Sequence, residues 1–151
     1  MDRVGPDGGC RCGEVRYTLA LEADPPVYCC HCLYCQTWSG TAFTQQAVVP
    51  EAAIRVTHGE PELYERVNDN GATSRQSVCG TCHTRLWNTN SARPGLAVVR
   101  AGTLDGSQHI VPRAHIWTKR KQPWIALDPE VPAWTEGAPP ADFVSALSVP
   151  R

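Results

Sequence analysis

The cysteines constrain this chain more than any other feature. There are eight in 151 residues, and they fall into three tight groups. "GGCRCG" carries Cys10 and Cys12, "YCCHCLYC" carries Cys29, Cys30, Cys32 and Cys35, and "VCGTCH" carries Cys79 and Cys82. Thiols in adjacent or C-x-C positions seldom reach disulfide geometry with each other without strain. Zinc suits them better, because it takes four thiolates at about 2.3 Å in a tetrahedron, usually as short pairs from two turns. Cys10, Cys12, Cys79 and Cys82 therefore predict a closed structural zinc site that pins the first strand to a hairpin from mid-chain. A redox dithiol at Cys79/Cys82 is the alternative, and it lacks the βαβ pattern that accompanies such motifs.

The middle group is different. Cys30, Cys32 and Cys35 offer three ligands, and three protein ligands with one position left over is the pattern of catalytic zinc. In an extended segment Cys29 and His31 point away from Cys30, so Cys29 reads as a small buried apolar residue. Completion of the site by a remote histidine (His58, His83, His109 or His115) stays open at this level.

The compartment bears on the choice between metal and disulfide. The amino terminus, "MDRVGPDGG", lacks the apolar core of a secretory signal. No apolar run is long enough to span a bilayer. A reducing cytoplasmic location is the default expectation, and there clustered cysteines serve metals or catalysis. Net charge is -1, with 19% charged and 42% apolar residues. That balance suits a globular domain and gives no overall field for nucleic acid or membrane.

The remaining pattern is strand-like. In "GEVRYTLAL", Val15, Tyr17, Leu19 and Leu21 alternate with polar residues, a half-buried strand. "TAFTQQAVV", "AIRVT", "ELYERV", "GLAVVRAGTL" and "HIVPRAHIW" read the same way, separated by Gly, Pro, Asn and Asp. No segment carries a long helical period, so a mainly β domain is expected over residues 1–128. Residues 129–151 are rich in Pro and Ala. They read as a tail packed on the domain through Trp134 and Phe143, with a short helix near "DFVSAL" that Asp142 could cap.

With these groups placed, the chain resembles the family of glutathione-dependent formaldehyde-activating enzymes, which includes the centromere protein V domain. The residues that carry the likeness are "GGCRCGEVRYTL", "CCHCLYCQTWSGTAF", "SRQSVCGTCHTRLW", "VVRAGTLD" and "HIWTKRKQPWIAL", spanning about residues 8–128. The resemblance implies the Mss4-like fold of small stacked antiparallel sheets with zinc knuckles. It implies two zinc ions: one structural on Cys10, Cys12, Cys79 and Cys82, one catalytic on Cys30, Cys32 and Cys35. The family usually has glycine after the last C-x-x-C cysteine. Here His83 stands there, so a histidine is expected in a left-handed turn.

The implied function is that of a zinc-dependent carbon–sulfur lyase or synthase. Zinc deprotonates a thiol at neutral pH. The thiolate of a small, glutathione-like substrate then adds to an aldehyde such as formaldehyde; zinc polarising the carbonyl is the other possible role. A non-catalytic zinc module for protein interaction, or a thiol carrier, is the alternative of another class. Arg75 and Arg11 are candidate cations for the charged thiolate site. Lys119, Arg120 and Lys121, between Trp117 and Trp124, could form an anion-binding rim. Tyr34 and Trp38 flank the three-cysteine turn, as pocket wall or as packing. The hydroxyls of Thr37, Ser39 and Thr41 are expected to serve turn backbone groups more than chemistry. The expected partners are a thiol and an aldehyde.

Overall fold

The computed structural model describes residues 5–151. In chain order the elements are β1 (Asp7–Gly9), β2 (Arg16–Leu19), β3 (Tyr28–Cys30), α1 (Leu33–Ser39), β4 (Thr44–Pro50), β5 (Ile54–His58), β6 (Glu62–Val67), β7 (Thr73–Val78), β8 (Arg85–Asn90), β9 (Leu96–Arg100), β10 (Ala114–Ile116) and α2 (Pro140–Leu147). They form two compact units. One comprises the residues up to Pro25 together with Ala47–Gln108, the other Pro26–Gln46 with His109–Arg151.

The first unit is built from antiparallel strands. β2 lies between β1 and β5 in a three-stranded sheet, and β4, β9, β8, β7 and β6 follow one another in a second. The alternation read in the sequence sets the buried face: Val15, Tyr17 and Leu19 are 2%, 0% and 0% exposed. Tyr17 packs edge-to-face on Trp87, with centroids 5.4 Å apart at 72°. Such a pair adds about 0.5–1.5 kcal/mol beyond its burial. The phenol oxygen is satisfied by Thr103 Oγ1 at 2.7 Å. β1 can cross this ring because residue 8 is glycine: a Cβ there would stand 2.5 Å from the Tyr17 ring.

The second unit is assembled on β3, buried at all three positions. β3 pairs antiparallel with β4, Cys30 opposite Thr44 and Tyr28 opposite Gln46. On its other side β10 runs parallel, with His115 opposite Cys29. Parallel neighbours need a long connection, and here more than eighty residues separate the two strands in sequence.

The segment after Asp128 follows the same strands. Ala133 bridges His115, and α2 sets Phe143 against Tyr28 at a centroid distance of 4.9 Å. Asp142 does not cap α2. The helix starts two residues earlier, with Pro139 at its N-cap and no side-chain cap, so Asp142 sits inside the first turn. A negative charge there still favours the helix N-terminus.

α1 carried no sequence signal. None of its seven residues is fully buried, so no apolar stripe marks it. It is defined by its ends: Cys32 caps the start through its sulfur, and Gly40 closes it in the left-handed region at φ 68.

Candidate metal centres

Two cysteine groups converge among the described residues: Cys10, Cys12, Cys79 and Cys82, and Cys30, Cys32 and Cys35. In each, the sulfurs lie within 4.8 Å of one another. The partition matches the one read from spacing. Each group lies inside a single unit, the four-cysteine cluster in the first and the three-cysteine cluster in the second.

In the four-cysteine cluster, Cys10 Sγ is 3.6 Å from Cys12 Sγ, and Cys12 Sγ is 3.8 Å from Cys79 Sγ. A tetrahedron with bonds of about 2.3 Å has edges of about 3.8 Å, so the donor set fits zinc. Backbone N–H groups aim at the sulfurs, Val15 N donating to Cys10 Sγ at 3.2 Å and Cys82 N to Cys79 Sγ at 3.5 Å. Thr84 Oγ1 is 3.1 Å from Cys82 Sγ. The hydroxyl and backbone of Thr84 hold the Cys82 thiol down at about 5, a thiolate at neutral pH. The turn closes at His83, left-handed at φ 64. A left-handed conformation costs a residue with a Cβ about 1–2 kcal/mol. His83 N–H to Cys79 O at 2.9 Å helps to hold it there.

The three-cysteine cluster spans the end of β3 and the first turn of α1. Cys35 N donates to Cys32 Sγ at 3.3 Å, the same chelating turn as Cys79–Cys82. Cys30 is 5% exposed, while Cys32 and Cys35 are half-buried. Neighbouring Cys32 and Cys35, then burial, push the Cys30 thiol far up from its usual range. Three thiolates so close repel one another; a divalent cation among them reverses that penalty, so this donor set also fits zinc.

No histidine completes the group among the described residues. His115 Nδ1 is engaged with His31 Nε2 at 3.0 Å, and His58 Nδ1 with Glu14 O at 3.0 Å. Cys29 stands apart as expected: it is 2% exposed, and burial pushes its thiol to about 12.

Other candidates take structural places. Arg75 is bound by Glu65 at 2.7 Å and Arg11 is exposed, its backbone N–H on Thr84 Oγ1 at 3.1 Å. Ser39 Oγ donates to Cys35 O and Thr41 Oγ1 to Phe43 O, both at 2.7 Å, as expected of turn hydroxyls. Thr37 is exposed. Tyr34 and Trp38 form a tilted ring pair, centroids 6.5 Å apart, and Tyr34 is 56% exposed.

Sequence reasoning missed the residues behind the cluster. Buried Gln46 donates through Nε2 to Cys35 Sγ at 3.4 Å and to Thr44 Oγ1 at 2.8 Å. Gln36 Nε2 spans from His31 O at 2.7 Å to Arg120 O at 2.8 Å. His31 is 0% exposed, and its Nδ1 has no hydrogen-bond partner among the described residues. Burial first, then His115 and Lys121, lower its pKa to about 4, so the ring is neutral. The available signal was local: Thr44 and Gln46 share a face of β4, and Gln36 directly follows the last cysteine.

Residues 5–120 match the family model of the glutathione-dependent formaldehyde-activating enzyme. This chain belongs to that family. The match takes in both cysteine clusters, α1 and β10. Membership implies an enzyme activity related to formaldehyde and glutathione. The crystal structure of a Rhodobacter sphaeroides protein shares the fold, with a TM-score of 0.52 and 17% identity. That alignment covers 85% of this chain and 98% of the other. The mainly β fold with cysteine clusters able to hold zinc thus agrees with the sequence reading. Among the described residues no helix is long and apolar enough to cross a membrane.

Proposed function

We propose that the chain is a zinc-dependent carbon–sulfur lyase or synthase joining a glutathione-like thiol to formaldehyde or a similar aldehyde. Cys30, Cys32 and Cys35 hold the catalytic zinc, and Cys10, Cys12, Cys79 and Cys82 hold a structural one. The observation that carries this reading is the inequality of the clusters. Four sulfurs complete one tetrahedron, whereas the other offers three, with no fourth donor in the group among the described residues. Bound zinc supplies a positive charge that keeps a substrate thiol in its thiolate form at neutral pH.

The chain's own residues prepare the place. The Cys35 N–H and the Gln46 amide donate to the ligand sulfurs and fix their direction. Cys32 and Cys35 are half-buried and keep some access to solvent, whereas Cys30 is buried. In the reaction the substrate S–H gives up its proton, a C–S bond forms at the carbonyl carbon, and the carbonyl oxygen takes up a proton. The product is a hemithioacetal, the S-hydroxymethyl adduct where the aldehyde is formaldehyde.

The test is exchange spectroscopy by NMR on glutathione with formaldehyde and catalytic amounts of the zinc-bearing protein. Acceleration of adduct exchange that disappears in Cys30→Ala supports the reading. A wild-type protein that leaves the spontaneous rate unchanged contradicts it and leaves a zinc-binding module.

A further inference from the structure

The basic triplet Lys119–Arg120–Lys121 reads in the sequence as an anion rim, and the structure separates its members. Lys119 Nζ pairs with Glu136 and lies 5.2 Å from the centroid of the Trp117 ring. Lys121 Nζ turns inward and donates to Ile125 O at 2.6 Å and Gln122 O at 3.3 Å. Arg120 alone of the three is exposed with no side-chain hydrogen bond or ion pair among the described residues.

The backbone that carries Arg120 is fixed tightly for a surface turn. Trp117 sits in the left-handed region at φ 59 and ψ 36, a genuine outlier for a bulky residue, of the kind that persists only where the surroundings enforce it. The segment Pro132–Glu136 does so. Trp117 N donates to Glu136 O at 3.0 Å, Thr118 N to Trp134 O at 3.1 Å and Lys119 N to Thr135 O at 3.2 Å. This segment lies beyond the family match, which ends at residue 120.

The same turn is clasped to the three-cysteine cluster. The Gln36 amide bridges the carbonyls of Arg120 and His31, so these carbonyls lie within two hydrogen-bond lengths of each other. His31 is the residue between Cys30 and Cys32. A guanidinium, always charged and forked, is the side chain best matched to a carboxylate.

We propose that Arg120 recognises a carboxylate of the thiol substrate, on a turn held by Pro132–Glu136 and clasped to α1 by Gln36. The proposal rests on the thiol-binding reading above and adds the residue that sets the preference for an acidic thiol over a neutral or cationic one.

Calorimetric titration of the zinc-bearing full chain separates the two claims. The probes are glutathione, which has two carboxylates, and cysteamine, which has none. Arg120→Ala is expected to weaken glutathione about tenfold and leave cysteamine unchanged, with Arg120→Lys recovering part of the loss. Gln36→Ala, which unclasps the turn, should give a smaller loss of about threefold, again for glutathione only. Arg120→Ala binding glutathione like wild type, or losing both thiols equally, overturns the role of Arg120 while the thiol site stands. A wild-type protein that binds neither probe overturns the thiol site and this proposal with it.

Discussion

The two cysteine clusters use one device and differ in where the ligands come from. Both contain a turn in which a sulfur accepts the N–H of a cysteine three residues on, Cys79 from Cys82 and Cys32 from Cys35. The four-cysteine cluster joins segments far apart, with Cys12 and Cys79 separated by 67 positions. The three-cysteine cluster draws all its ligands from Cys30–Cys35. A metal in the first therefore closes a long loop, and its binding free energy becomes folding free energy. A metal in the second closes only a local turn already shaped by β3, α1 and Gln46. On the proposed reading, the fold depends less on that metal than on the first.

The comparison breaks first at Cys79. Cys79→Ser removes a sulfur of the four-cysteine cluster that is 1% exposed. Zinc contributes about 10–16 kcal/mol to small zinc domains, comparable to the whole stability of an ordinary protein. The variant is expected to lose cooperative unfolding and near-ultraviolet circular dichroism. A variant that melts like wild type would make the clusters equivalent.

Cys30→Ala should do the opposite. It is expected to lose one metal and the activity yet keep its fold, with a stability cost of about 1–2 kcal/mol in urea titration. Unfolding of this variant would assign the second cluster a structural role.

Gln46→Leu sharpens the contrast without touching a ligand. Loss of the N–H to Cys35 Sγ should weaken metal at the three-cysteine site about 10–100-fold, read by competition with a chromophoric chelator. The four-cysteine site should not respond.

The smallest effect is on pH dependence. His31 and His115 are buried and neutral, His31 near 4 and His115 lowered by burial. The unfolded chain takes up protons as pH falls through about 6.5, whereas the folded chain does so only lower. The contribution of His31 is therefore complete above about 6.5 and is lost on acidification towards 4, and that of His115 is lost in the same direction. In the first unit Tyr17 acts in the other direction. Burial raises its phenol from 10 to about 12, so its contribution holds below 10 and is lost as pH rises towards 12. His115→Gln should flatten the acid limb of a urea-midpoint profile and Tyr17→Phe the alkaline limb. A wild-type profile level at both ends would contradict both assignments.

The cysteine partition was legible because metal ligands must sit at short, regular spacings whatever the rest of the fold does. Strand β2 was legible because Val15, Tyr17 and Leu19 each face the core and nothing interrupts the alternation. α1 was not, since its position is fixed by a sulfur cap and a glycine, with no buried face to imprint a period. The parallel pairing of β3 with β10 was equally hidden, as no local pattern specifies a partner more than eighty residues away. Gln36 acts through backbone carbonyls, Gln46 through a sulfur and His31 through the His115 ring, all on partners outside their own element, so their roles appear only once the strands are placed. His83 is an intermediate case: its left-handed turn was expected from the place it takes after Cys82, and the structure shows it at φ 64.

The central claim is that one cluster completes its metal and the other leaves a ligand position for a thiol. Zinc-edge X-ray absorption with zinc counting, with and without glutathione, tests it most directly. The account predicts two zinc ions per chain and an average of about three and a half sulfurs per zinc, rising to about four when glutathione is added. One zinc per chain, or a sulfur count that glutathione does not change, would contradict it.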